Sequence, residues 1–406
     1  MHTFDELRNK YETFEYTDYE TEWLPDGRLQ VKYHYVVPGL SEFTTRWVFE
    51  TKRTADDEIL SALLFSLGMA EAISYYKCVC PKRVIVKCGY LDDERIAWWE
   101  KLFYKGLGEF QYRNGIDISQ DALLRIESVC EPDGCIYPLE DDAEYEGILV
   151  PVGGGKDSVV SLELLKGETI LPYSVNESDT IRNVILCCDH AQKGLSAVRV
   201  LDKRIIELNN EGYLNGHIPF SAVVAFSTVI TAYLNGIRYI ALSNESSANE
   251  STVKDSFVNH QYSKSYEFEK DFNEYIRDIT DSDIHYFSML RPLTEMQIAA
   301  LFAGFKDYHK VFRSCNVGSK KGIWCCDCPK CLFVYIILSP FLEENEIVKI
   351  FGEKLLDKPS LEKYFSSRDD YKSRLEAIKR LYDNEDIVLT DSDVALRLFK
   401  KNLYLS

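Results

Sequence analysis

The chain has 406 residues, 46% of them apolar and 28% charged, a composition that fits a folded protein of two or three domains with ample core. A formal net charge of −18 excludes a broad nucleic-acid surface, which needs a basic stripe, but leaves room for a local cationic cluster that takes a small anion. The opening Met1-His2-Thr3-Phe4-Asp5-Glu6 lacks the basic start and apolar core of a secretory signal, so a cytoplasmic location is expected, with no membrane or nucleic-acid partner.

Residues 1–145 read as an N-terminal α+β domain. Tyr33 to Val37 and Thr44 to Glu50 alternate as strands do, around a Pro38-Gly39 turn. Ile59 to Tyr76 has helical apolar spacing, and Glu94 to Tyr104 reads as a second helix whose Trp98 and Trp99 are core and rim. The acidic stretch Cys130 to Gly147, with Pro132, Gly134 and Pro138, reads as a linker.

From residue 146 to 310 strands and helices alternate. The predicted strands are Ile148–Val152, Asn183–Asp189, Ile237–Ser243 and Ile284–Ser288. The predicted helices are Ser158–Leu165, Leu195–Leu208, Phe220–Asn235, Tyr266–Ile279 and Thr294–Ala303. This order predicts a parallel doubly wound α/β sheet, in which ligands lie at the carboxyl ends of strands. The most apolar stretch, Phe220 to Leu242, is broken by Asn235 and Arg238, so it reads as a buried helix followed by a strand rather than a membrane span. Thr294-x-x-Gln297 is a capping-box start. A zinc knuckle is expected over 311–345 and a helical segment over 346–406.

The most informative stretch is Val150-Pro151-Val152-Gly153-Gly154-Gly155-Lys156-Asp157-Ser158. An apolar run enters three glycines and then a helix start. Glycines let the backbone approach a ligand and adopt positive φ, and the exposed N–H groups of a first helical turn form an anion site. Lys156 adds charge and Ser158 a hydroxyl, which suits a pyrophosphate. The common P-loop is excluded, because Val150 stands where its first glycine belongs and Asp157 follows the lysine. The stretch is instead similar to the loop of the ATP pyrophosphatases, with Gly153 in place of their serine. That resemblance implies cleavage of ATP between its α- and β-phosphates.

Of the twelve cysteines, Cys315, Cys325, Cys328 and Cys331 have the spacing of four thiolates around one tetrahedral Zn²⁺. Cys326 follows Cys325 directly and is expected to point elsewhere. A closed four-thiolate site has no open position, so its expected role is structural. Cys187 and Cys188 sit in an apolar run and read as core. Polar clusters at Ser243–Glu250, Val258–Ser265 and Arg291–Glu295 read either as turns or as ligand contacts.

Taken together, these pieces resemble the UDP-N-acetylmuramoyl-L-alanyl-L-glutamate epimerases, the MurL family. The resemblance rests on Pro151–Ser158, Asn244-Glu245-Ser246-Ser247-Ala248-Asn249, Val258-Asn259-His260-Gln261-Tyr262-Ser263-Lys264-Ser265, and Leu290-Arg291-Pro292-Leu293. It rests also on Ser314-Cys315-Asn316, Trp324-Cys325, Cys328-Pro329-Lys330-Cys331 and Gly106-Leu107-Gly108-Glu109-Phe110. At Cys326 the family pattern has glycine. The resemblance implies a PP-loop ATP pyrophosphatase-like (HUP) core at 146–310, with a substrate-recognition domain before it. It implies an ATP- and Mg²⁺-dependent epimerase that inverts the terminal L-glutamate of a nucleotide-sugar peptide, releasing AMP and pyrophosphate in peptidoglycan precursor synthesis.

Roles then follow by position. Gly153, Gly154, Gly155, Lys156 and Ser158 are expected at the pyrophosphate, Asp157 and Glu245 at Mg²⁺, and Asp189 or His190 at the ribose or adenine. Arg291 and Lys264 suit a carboxylate or phosphate, and His260, Lys264 and Tyr262 are the candidate proton carriers. Two other readings stay open. A deazaguanine nitrile synthase-like ligase shares the loop and the knuckle but requires ammonium, and a non-catalytic ATP-binding module would not release pyrophosphate.

Overall fold

A computed structural model describes residues 2–55, 57–132, 137–246, 248, 262–315 and 317–364. In chain order its elements begin with α1 (Phe4–Lys10), β1 (Thr13–Trp23), β2 (Leu29–Val37), β3 (Ser41–Phe49), α2 (Glu58–Tyr76), β4 (Arg83–Val86) and α3 (Asp93–Gly106). Next come α4 (Gly108–Arg113), α5 (Gln120–Leu123), β5 (Arg125–Ser128), β6 (Ile148–Pro151), α6 (Lys156–Leu164), β7 (Ile170–Val175), α7 (Asp179–Cys187) and β8 (Leu195–Val200). The remainder are α8 (Arg204–Asn210), α9 (Phe220–Asn235), β9 (Tyr239–Leu242), α10 (Tyr266–Ile279), β10 (His285–Ser288), α11 (Glu295–Gly304), α12 (Pro329–Leu338) and α13 (Glu344–Phe351).

These elements form two compact units. The first takes the described residues of Met1–Glu146, Ser196–Ile240 and Ala248–Tyr286, and the second those of Gly147–Leu195, Ala241–Ser247 and Phe287–Ser406. In the first unit the strand order is β8-β3-β2-β1-β4-β5. The pairs β1/β2, β2/β3 and β3/β8 are antiparallel, whereas β4 runs parallel to both β1 and β5. Alternation along β2 buries Val31, Tyr33, Tyr35 and Val37 against α2. The Tyr33 and Tyr35 hydroxyls donate to the Leu64 and Gly68 carbonyls at 3.0 and 2.7 Å. A Cβ on Gly68 would fall 2.0 Å from the Tyr16 hydroxyl, so only glycine admits this approach. Beneath lies a charged anchor: fully buried Glu71 accepts from Arg199 at 2.6 and 2.7 Å and from the Trp47 indole at 2.8 Å. By length and composition α2 could cross a bilayer, but 89% of its most apolar window is buried, which makes it a core helix here.

In the second unit β6 and β7 are parallel, with Ile148 opposite Ile170, and the strand order is β10-β9-β6-β7. Helices α6 and α11 pack on each other, and α12 packs on both α11 and α13.

The predicted β2, β3, α2, α3, β6, α6, α9, β9, α10, β10 and α11 are found, and Thr294 and Gln297 form the expected capping box. Two segments are corrected. Asn183–Asp189 is not a strand, because residues 179–187 form α7, capped by the Ser178 hydroxyl, with Thr180 and Val184 buried and Leu186 73% exposed. Leu195–Leu208 is not one helix either. It is β8 followed by α8, since Leu195–Val200 pairs with β3. Cys187 therefore ends a helix rather than lining a strand. Of the expected C-terminal helical segment, α13 and a 3₁₀ turn at Pro359–Tyr364 are present, and residues 365–406 lie outside the described residues.

Candidate functional site

The glycine loop leaves β6 and opens α6. Gly154 has φ +81°, a conformation that favours glycine, and a Cβ there would come 2.9 Å from the Thr180 methyl. Gly155 is the N-cap of α6 and supplies no side-chain acceptor for the first-turn N–H groups. A Cβ on it would lie 2.8 Å from the Ser314 hydroxyl, while a Cβ on Gly153 would meet nothing within 4 Å. The loop is pinned from behind: the Arg313 N–H donates to the Gly154 carbonyl at 2.8 Å, and the Ser158 hydroxyl to the Gly155 carbonyl at 3.0 Å.

Lys156 does not extend into solvent. Its side chain is 3% exposed and its ammonium is paired with both Asp157 and Glu295. Burial opposes the charge, but the two carboxylates outweigh burial and hold the ammonium's pKa above the ordinary lysine value. Asp157 and Glu295 keep 38% and 25% of their side chains exposed, so each still presents an edge to solvent.

The polar residues after β9 and β10 gather around the same helix. The Ser243 and Ser161 hydroxyls are 2.8 Å apart, and Asn244 donates to the Ser288 hydroxyl at 3.0 Å. Arg291 donates to the same Ser288 oxygen at 2.9 Å, and the Ser246 N–H reaches the Leu293 carbonyl at 3.0 Å. The carboxyl ends of β6, β9 and β10 thus meet at the start of α6, where the alternating pattern places a ligand. Glu245 follows Asn244 in the chain and is half-buried.

Cys315, Cys325, Cys328 and Cys331 bring their sulfurs within 4.8 Å of one another. The Cys325–Cys331 and Cys328–Cys331 separations are 3.7 and 3.5 Å. A tetrahedron with Zn–S near 2.3 Å spaces its sulfurs about 3.8 Å apart, so the set fits Zn²⁺. Cys328 is also the N-cap of α12, its sulfur accepting from the Cys331 N–H at 3.4 Å, with Pro329 at the first helical position. Although burial opposes it, N–H donors from Cys325 and Gly318 hold the Cys315 thiol down at about 6. Cys326 turns away. Its φ is +54°, and its sulfur faces the Phe351 carbonyl at 3.2 Å.

A family model described as the MurL N-terminal domain matches residues 5–289, and one described as the MurL C-terminal domain matches residues 311–372. The chain belongs to the MurL family. Among its relatives is a UDP-N-acetyl-alpha-D-muramoyl-L-alanyl-L-glutamate epimerase of Xanthomonas oryzae pv. oryzae, 35% identical over 304 residues, or 72% of this chain and 65% of that protein. Proteins of the same name from Salinispora tropica (36% over 309 residues, 74% of this chain and 66% of that protein) and Micromonospora sp. (35% over 311 residues, 73% and 67%) are similar. The chain thus spans about two thirds of the length of these relatives. No solved structure matches it.

Cys326 takes a left-handed backbone that glycine adopts freely, which gives a physical reason for the glycine that the resemblance leads one to expect there. The remaining expected residues of this MurL chain fall elsewhere. Asp189 and His190 follow helix α7 instead of a strand; Asp189 is 89% exposed, and His190 stands beside Cys188 and Glu163. Tyr262 and Lys264 lie in the first unit, in a 3₁₀ turn before α10. The Tyr262 hydroxyl donates to Asp271 at 3.2 Å, and burial followed by the Asp271 charge pushes its pKa well up, which keeps it a phenol. His260 lies outside the described residues. Sequence reasoning missed Glu295 as a partner of Lys156, since an acid in a first helical turn already reads as a dipole complement. It also missed Thr180, which carries no motif of its own, and gave Ser314, quoted only as part of Ser314-Cys315-Asn316, no place at the loop that both residues wall.

Proposed function

We propose that this chain is an ATP-dependent epimerase that inverts the terminal glutamate of UDP-MurNAc-L-Ala-L-Glu, or a close analogue, by way of an acyl-adenylate. The observation that carries this reading is the triglycine turn, with Gly154 at φ +81°, opening α6 at the strand carboxyl ends in a chain of the MurL family. In this reading the loop backbone and the first N–H groups of α6 hold the pyrophosphate portion of ATP, and Lys156 supplies countercharge. Asp157 and Glu295, with Glu245 nearby in sequence to Asn244, are hard oxygen donors of the kind Mg²⁺ takes. Arg291 is the anchor for a carboxylate or phosphate.

Chemically, the α-proton beside a carboxylate is hard to remove because the product is a dianion. Attack of the carboxylate oxygen on the α-phosphorus expels pyrophosphate and caps the acid as a neutral acyl group. Each unit by which this acidifies the α-carbon lowers the barrier by up to about 1.4 kcal/mol. A base then takes the proton from one face, a proton returns on the other, and water releases AMP and the D-glutamyl product. Lys264, Tyr262 and His260 are the candidates for these transfers. The four-cysteine cluster, holding Zn²⁺, contributes folding energy and takes part in no step.

The test is incubation with ATP, Mg²⁺ and UDP-MurNAc-L-Ala-L-Glu in D₂O. Stoichiometric AMP and pyrophosphate with deuterium at an inverted glutamate α-carbon are expected. Formation of ADP, a requirement for ammonium, or inversion without deuterium would overturn the proposal.

A further inference from the structure

A second set of metal-ligand groups lies at the other end of α6. Glu163, Cys188 and His190 bring a carboxylate, a thiol and an imidazole together with all their ligand atoms within 4.8 Å. Cys188 Sγ is 3.4 Å from Nε2 and 3.7 Å from Nδ1 of His190. A tetrahedral Zn²⁺ with sulfur near 2.3 Å and nitrogen near 2.0 Å spaces the two ligands about 3.5 Å apart. The orienting contacts also suit a metal. His190 Nε2 meets the Leu162 carbonyl at 3.0 Å, which places the N–H on that nitrogen and leaves Nδ1, 3.7 Å from the sulfur, as the nitrogen that carries the lone pair. Ligating imidazoles are ordinarily fixed by such a bond from their second nitrogen. The Glu163 carboxylate is held in turn by the Tyr308 hydroxyl. Cys188 is 5% exposed and the His190 side chain 13% exposed, so an ion there would be shielded from bulk water, with the exposed Asp189 carboxylate 3.4 Å from Nδ1 at the mouth.

We propose that Glu163, Cys188 and His190 form a second transition-metal site, of the zinc class, separate from the four-cysteine cluster. The three donors come from the last turn of α6 and from the turn after α7, so an ion joins those two helices at the end of α6 remote from the glycine loop. Three protein ligands leave one position for water or a fourth donor, which distinguishes this site from the closed thiolate set. Softness of the thiolate and imidazole favours Zn²⁺ or Co²⁺ over Mg²⁺.

The experiment uses the full chain, stripped of metal and re-equilibrated with buffered Zn²⁺, and counts bound zinc by mass spectrometry in the wild type, His190→Asn and Glu163→Gln. Each variant is checked by circular dichroism. His190→Asn is expected to bind one ion fewer than the wild type, and Glu163→Gln to bind the same number with at least about tenfold weaker affinity for one of them. The quantity read is the difference between chains, so it does not depend on whether the four-cysteine cluster is filled. Co²⁺ loading supplies the second readout: the wild-type minus His190→Asn difference spectrum carries the bands of a tetrahedral ion with one thiolate. Equal zinc content in folded wild type and folded His190→Asn, or a featureless Co²⁺ difference, overturns the site.

Discussion

Lys156 shows how much one residue can concentrate. Its ammonium is enclosed by two acids, so Lys156→Ala leaves Asp157 and Glu295 facing each other without a cation. Because both acids are partly solvated, the expected loss of stability is about 1–3 kcal/mol, below that of a sealed ion pair. AMP formation is expected to fall at least about 100-fold, a larger effect than the stability change explains. Near-normal turnover in a folded Lys156→Ala chain would remove the loop from the chemistry. Gly154→Ala meets two obstacles, the φ of +81° and the Thr180 methyl at 2.9 Å. Denaturant titration is expected to show a loss of at least about 1 kcal/mol, with AMP formation falling alongside. Cys326 and Cys328 separate by geometry in the same way. Cys328→Ser is expected to lose zinc and lower the melting temperature, whereas Cys326→Gly, at φ +54°, is expected to keep its full metal content.

Among the elements, those with a clear period and a clear cap were legible in sequence. Helix α10 occupies Tyr266–Ile279 as its apolar spacing predicts, and α11 begins after Thr294 where the capping box says it must. Helix α7 was not legible, because Val184-Ile185-Leu186-Cys187-Cys188 is as apolar as a buried strand. Only its three-dimensional setting, with Leu186 outside and Val184 inside, gives it a helical period. Strand β7 was hidden by Pro172, a residue that normally argues against a strand, though here it pairs opposite Val150. The candidate site was legible where the chain is glycine-rich and opaque where distant segments close on it, as Glu295 and Ser314 do. The end of α2 offers a test by pH. Lys77 closes that helix, donating to the Gly216 carbonyl at 2.5 Å and to Asn215 at 3.2 Å, and burial pushes its pKa down from 10.5 to about 8. Between those two values the unfolded chain keeps a proton that the folded chain has released, so stability rises with pH in that window. The expected gain over the interval is about 3 kcal/mol relative to Lys77→Met, read by chemical denaturation at pH 7.5 and 10.5. Parallel curves for the two proteins would show that the lysine is not held in this way.

For the molecule as a whole, the units interleave along the chain, since residues 196–240 and the described residues of 248–286 pack with the N-terminal part while the stretches between them belong to the second unit. Local composition carries no sign of such interleaving, whereas the mixed α/β class does follow from the run of strand and helix patterns. The net charge of −18 is a property of the entire chain, and it bears on the proposed substrate, which is itself a polyanion. A cation already satisfied by two internal acids exerts little pull at a distance, so Lys156 does little to steer such a molecule inward against that field. Monovalent salt screens the repulsion over about 8 Å at physiological ionic strength. With Mg²⁺ held constant, capture of the nucleotide-sugar peptide is therefore expected to quicken as potassium chloride is raised from low to physiological levels, the reverse of an electrostatically guided encounter. Stopped-flow binding at several salt concentrations reads the slope directly. On the proposed reading the polyanion is gathered at short range, by the α6 N–H groups and Arg291 rather than by the long-range field, so its rate of capture follows the ionic strength around the protein.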